Sequence, residues 1–164
     1  MLNNTDEIMN KISSFLNEIG IKITLKKIKE KTFLPGILIR NGNLIIDKDK
    51  LTYPGDLLHE AGHIAVTPQR ERQYLNANVS SQNLSNKEGE EIAAILWSYA
   101  AAKHINIPVE LVFHENGYKG DSSWLMTQFA HKNYIGLPLL QWMGLTYQED
   151  STLKFPEMKE WMRE

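Results

Sequence analysis

Asp56-Leu57-Leu58-His59-Glu60-Ala61-Gly62-His63-Ile64-Ala65-Val66 decides how this chain is read. Leu57, Leu58, Ala61, Ile64 and Ala65 supply an apolar face at helical steps. Tyr53-Pro54-Gly55 breaks the chain before this stretch and Pro68 ends it, so a helix is predicted over 56–66. His59 and His63 are then one turn apart along the axis and about 40° apart around it. Two imidazoles so placed can converge on one cation. Glu60 points to the side of the pair, where it can reach a metal-bound water without ligating the metal. Zinc lowers the pKa of such a water towards about 7, and a carboxylate can take the proton. Gly62 weakens a helix by about 1 kcal/mol relative to Ala. Its presence predicts that another backbone or a ligand approaches closely there.

Two histidines leave a third ligand to be found. The chain has no cysteine, so the ligand is a carboxylate or another histidine, and disulfides are excluded. Glu88, Glu90 and Glu91 lie on the first turns of the next long helix, predicted from a capping box at Ser85-Asn86-Lys87-Glu88 to about His104. Glu91 borders the stripe that this helix is expected to bury, made by Ile92, Ile95, Leu96 and Tyr99. It is the first choice, ahead of Glu90 and Glu88, and Glu88 also serves as capping partner. His114 is the rival. His114 and Tyr118 share a loop of polar and aromatic residues, and either can donate a hydrogen bond to a developing oxyanion. His104 and His131 suit helix C-termini, and Trp97, Trp124, Trp142 and Trp161 read as packing residues.

Outward from the motif, Ile8, Ile12, Phe15 and Ile19 mark an amphipathic helix over 4–19, stopped by Gly20. Ile21, Ile23 and Leu25 then alternate with polar residues, as in a half-buried strand over 21–28. Strands at 36–40 and 43–47 flank Asn41-Gly42, a hairpin dipeptide. The three strands predict a small antiparallel meander. Residues 69–84 read as a long polar loop. Further short helices are predicted at 108–113, from Asp121 or Ser122 to Lys132, at 137–143, and weakly from Pro156. Residues 1–147 then form one domain and 148–164 a loosely attached tail.

The net charge of −2 and the shortness of the longest basic run, Lys26-Lys27-Ile28-Lys29, argue against nucleic acid as partner. That run reads as the wet face of a strand or its turn. The most apolar stretch, 92–102, is too short for a membrane span, which needs about 20 residues. The first twenty residues carry Asp6, Glu7, Lys11 and Glu18 and have no signal-peptide character. A cytoplasmic protein without a membrane partner is expected.

The order of helix, small sheet, His59-Glu60-Ala61-Gly62-His63 helix and Glu-bearing helix resembles the gluzincin branch of the zincins. It is most similar to minimal gluzincins and to compact ImmA/IrrE-like bacterial metallopeptidases, over roughly residues 1–104. The resemblance implies an α+β, zincin-like, mostly helical fold. It implies a Zn2+ held by His59, His63 and Glu91, with Glu60 as catalytic base and a peptide or protein as substrate. Two positions depart from the pattern. Many gluzincins carry an Asp four residues after the ligand Glu, where this chain has Ile95. The Ala-Asn pair of the ImmA/IrrE-like proteins stands here as Ala94-Ile95. Hydrolysis of a peptide bond is therefore the leading expectation. A non-catalytic metal-binding or regulatory module on the same scaffold is the alternative, and a metal-free interaction domain the third reading.

Overall fold

The computed structural model describes residues 4–76 and 87–164. Helix α1 (Asn4–Glu18) leads into strand β1 (Ile23–Leu25), then β2 (Ile37–Arg40) and β3 (Asn43–Ile46). Helix α2 (Asp56–Val66) follows, then α3 (Gln69–Arg72) and the long α4 (Lys87–His104). Two 3-10 turns, Val109–Leu111 and Tyr118–Gly120, precede α5 (Ser122–Ala130), α6 (Leu137–Trp142) and α7 (Ser151–Lys154). The result is mixed: mostly helical, with one small sheet.

That sheet corrects the expected meander. Its order is β1-β3-β2. The Asn41-Gly42 turn does pair β2 with β3 antiparallel, matching Ile39 to Leu44 and Ile37 to Ile46. Both turn residues take positive φ, 51° and 71°. β1, however, lies parallel to β3, with Ile23 opposite Leu44 and Leu25 opposite Ile46. Residues 26–36 carry the chain across to the far edge instead of turning straight back. Central β3 contributes Leu44 and Ile46, both fully buried. Leu25 is not inward as its alternation predicts; it is 58% exposed.

α2 has the expected bounds and lies in the core, with Leu57, Leu58, Ala61, Ile64, Ala65 and Val66 fully buried. It crosses α4 at Gly62, where a Cβ would stand 2.8 Å from the Ala94 carbonyl oxygen. The close approach read from Gly62 is thus an approach of backbone. α4 buries more than the one predicted stripe. Ala93, Leu96, Trp97, Ala100 and Ala101 are fully buried, while Ile92 is 37% exposed. A helix with a neighbour on each flank needs small residues on both sides, and the alanines provide them.

Other expectations shift as well. Part of the 69–84 loop is α3, and Arg72 Nε donates to the Thr67 carbonyl at 3.1 Å. The Ser85–Asn86 part of the capping box lies outside the described residues. Trp97 and Trp161 pack in the interior, but Trp124 and Trp142 are exposed. The segment after 147 is not loose where its contacts are described. Phe155 and Met158 are buried, and Trp97 Nε1 donates to the Trp161 carbonyl at 3.0 Å. The Arg163 N–H donates to the Ala65 carbonyl at 2.9 Å, which satisfies a C-terminal carbonyl of α2. No helix forms from Pro156; a short helix ends at Lys154 instead. Among the described residues no helix is long and apolar enough to cross a membrane.

Candidate metal centre

The two motif histidines face one another across one turn of α2. Their Nε2 atoms are 3.2 Å apart and the rings nearly perpendicular, at 82°. Glu91 reaches them from α4, which the Gly62–Ala94 crossing holds close. One carboxylate oxygen is 3.3 Å from His59 Nε2 and the other 2.9 Å from His63 Nε2. Of the candidates for third ligand, Glu91 is the one brought to both rings. His59, His63 and Glu91 form the group of potential metal ligands found among the described residues.

The donor set fits a small cation. Tetrahedral zinc with ligands at about 2.0–2.1 Å places neighbouring ligand atoms about 3.3 Å apart. The observed contacts lie near that value, so the two imidazole nitrogens and the two Glu91 oxygens converge where one small cation could be held.

Electrostatics agree with the geometry. Burial alone would raise the Glu91 pKa, but hydrogen bonds and charge from His59 and His63 hold it well below the ordinary carboxylate range. Burial would depress His63, yet its hydrogen bond to Glu91 and the charges of Glu60, Glu91 and Glu90 raise it. Glu60 is half-buried and close enough to act on His63 electrostatically. Glu88 is exposed. Glu90 is half-buried, and its charge acts on His63.

His114 is placed beside the group rather than in it. A carboxylate only accepts, so His114 Nε2–H donates to Asp56 Oδ1, at 2.7 Å. Tyr53 stacks on the His114 ring with centroids 3.7 Å apart. Ser122 Oγ donates to the His114 carbonyl at 2.7 Å. The ring is therefore held by Asp56 and Tyr53 and its backbone by Ser122, and its Nδ1 is buried with no partner among the described residues. Burial raises the Asp56 pKa, against the lowering effect of His114 and His59. Tyr118 sits edge-on to His59, centroids 5.2 Å apart. Its hydroxyl is buried with no partner at hydrogen-bond distance among the described residues, and burial raises its pKa far above the ordinary phenol value, against a lowering effect of Ser98. Tyr118 and Lys119 both have positive φ, 53° and 54°, an uncommon conformation for residues with side chains.

Asp56 was not among the residues singled out in the sequence. Its signal was its place three residues before His59, hence on the same helix face. There it passes for a first-turn acid that favours the helix dipole. Its partner lies 58 residues on, and no local pattern links them. His59 Nδ1 is also buried and unpaired. The Asp that many gluzincins carry four residues after the ligand Glu is Ile95 here, which supplies no acceptor. No protein-family model matches the chain, and no curated protein or solved structure matches it either.

Proposed function

We propose that the chain is a zinc-dependent hydrolase that cleaves a peptide bond, with His59, His63 and Glu91 as ligands. The observation that carries this reading is the convergence of His59 Nε2, His63 Nε2 and both Glu91 carboxylate oxygens, at contacts of 2.9–3.3 Å, with Glu60 close enough to act on His63. Bound zinc supplies a Lewis acid for the substrate carbonyl and acidifies a water. Glu60 accepts a proton at its carboxylate and returns it to the leaving amine. Tyr118 Oη, without a partner among the described residues, donates to the carbonyl oxygen as charge develops on it, and His114 donates from Nδ1 as well when its ring carries both protons, since its Nε2–H is already spent on Asp56. A peptide or protein substrate and a cytoplasmic setting belong to the same proposal.

Peptide-library cleavage by the purified chain before and after Glu60→Gln tests this. A loss of at least about 100-fold with metal content unchanged is expected. Equal cleavage by both proteins, with metal bound, contradicts it. One observation favours the second reading, a metal-binding or regulatory module that does not cleave. His59 Nδ1 lacks the acceptor that usually orients a ligating imidazole. On that reading a cellular phenotype survives Glu60→Gln and is lost in His59→Ala.

A further inference from the structure

Charge is divided unevenly along this chain. Residues 22–50 hold eight Lys and Arg against three Asp and Glu, while the rest holds ten against seventeen. The sheet region thus carries a net +5 and the remainder −7. All eight cations are exposed: Lys22, Lys26, Lys27, Lys29, Lys31, Arg40, Lys48 and Lys50.

The fold brings four of them together. Lys26, Lys27 and Arg40 line one shallow groove with Glu30, Ile28, Leu38 and Ile45. The ammonium group of Lys50 reaches the Ile28 carbonyl beside it. The three acids are already engaged locally. Asp47 is buried and accepts from the Ile28 N–H at 2.9 Å, Glu30 pairs with Arg40 at 2.9 Å, and Asp49 pairs with Lys27. Lys22, Lys26, Lys29, Lys31 and Lys48 have no carboxylate partner among the described residues. Two large apolar side chains stand out in the same segment, Leu25 at 58% and Phe33 at 71% exposed. Phe33 lies two residues after Lys31 on the loop joining β1 to β2.

We infer that this face docks on a lipid surface bearing anionic headgroups. Lysines around protruding apolar side chains suit an anionic interface, where ammonium groups meet phosphates and apolar tips enter the headgroup layer. The acidic remainder is repelled from the same surface and so orients the molecule. Lysine outnumbers arginine seven to one here, and one aromatic ring is exposed in the segment, whereas single-stranded nucleic acid favours arginine and a row of stacking rings. The expectation of no membrane partner followed from the lack of an apolar span, and peripheral docking needs none. The inference stands apart from the proposed hydrolase.

Co-sedimentation of the full chain with vesicles tests it, using phosphatidylcholine alone and with about a third phosphatidylserine. Binding is expected to the anionic vesicles and to fall steeply between about 0.1 and 0.5 M salt. Lys26→Glu/Lys29→Glu/Lys31→Glu should weaken it at least about 100-fold, and Phe33→Ser about fivefold. Lys103→Glu/Lys132→Glu/Lys159→Glu changes net charge equally and should bind well above the loop variant, with circular dichroism confirming that both are folded. No binding to anionic vesicles at low salt overturns the inference. So does equal loss in the two triple variants, or tighter patch-dependent binding to polyuridylate than to the vesicles.

Discussion

α2 and the loop at 114–121 border the same site but are built in opposite ways. On α2, helical periodicity alone puts His59 and His63 in register, and the Gly62–Ala94 crossing brings Glu91 to both. The ligand-facing atoms there already have one another. In the loop, His114 is held by a buried carboxylate, a stacked tyrosine and a serine, and Tyr118 by an uncommon backbone conformation. His114 Nδ1 and Tyr118 Oη have no partner at hydrogen-bond distance among the described residues. One region is a closed set of mutual contacts that suits a cation. The other offers fixed polar groups with spare capacity, as a site for a transient ligand does.

The comparison breaks most sharply at the ligands. His63→Ala should abolish stoichiometric zinc binding in equilibrium dialysis, while His114→Ala should leave it intact. Equal losses would merge the two regions into one metal site. Next, Asp56→Ala should cut cleavage about 10- to 100-fold with zinc retained, because His114 loses its acceptor. Lost zinc with restored cleavage at high zinc would move Asp56 to the metal side.

That pair also shows what the sequence does and does not disclose. α2 is readable to the residue because periodicity, a Pro-Gly break and a Pro stop all agree. Glu91 is readable as a candidate because it borders a buried stripe, though Glu90 and Glu88 share its helix. The turn at Asn41-Gly42 is readable from local backbone chemistry. The parallel pairing of β1 is not, since period-two alternation gives a strand but not its partner. Asp56–His114 is likewise hidden, because such contacts depend on how distant elements pack. The docking of Trp161 against Phe15 and Trp97 is hidden for the same reason.

Acidity sharpens the contrast further. His63 must lose its proton to bind a cation, and its pKa is raised by Glu91 after burial has opposed it. Zinc affinity should therefore begin to fall already above the ordinary imidazole pKa of about 6.5, by about tenfold per pH unit. Titration of affinity against pH checks this, and a flat profile from pH 8 to 5 contradicts it. In the metal-free protein the two groups run in opposite directions. Glu91, depressed on folding, contributes stability above the ordinary carboxylate pKa that is lost as pH falls from there through its lower folded value. His63, raised on folding, contributes stability below about 6.5 that is lost as pH rises through its folded value.

Gly62→Val forces a side chain against the Ala94 backbone and should cost about 1–3 kcal/mol in urea unfolding. The smallest effect expected is from Arg163→Ala. It removes a side-chain hydrogen bond to the Val66 carbonyl at 3.1 Å and should cost about 1 kcal/mol while sparing the ligands.

The account rests on two imidazoles and one carboxylate sharing a cation. X-ray absorption at the zinc edge, on protein loaded with one equivalent, reads that arrangement directly. The account predicts a shell of light ligands at about 2.0–2.1 Å with outer-shell scattering from two imidazoles. A shell with one imidazole or none, or a protein that takes up no zinc, contradicts it.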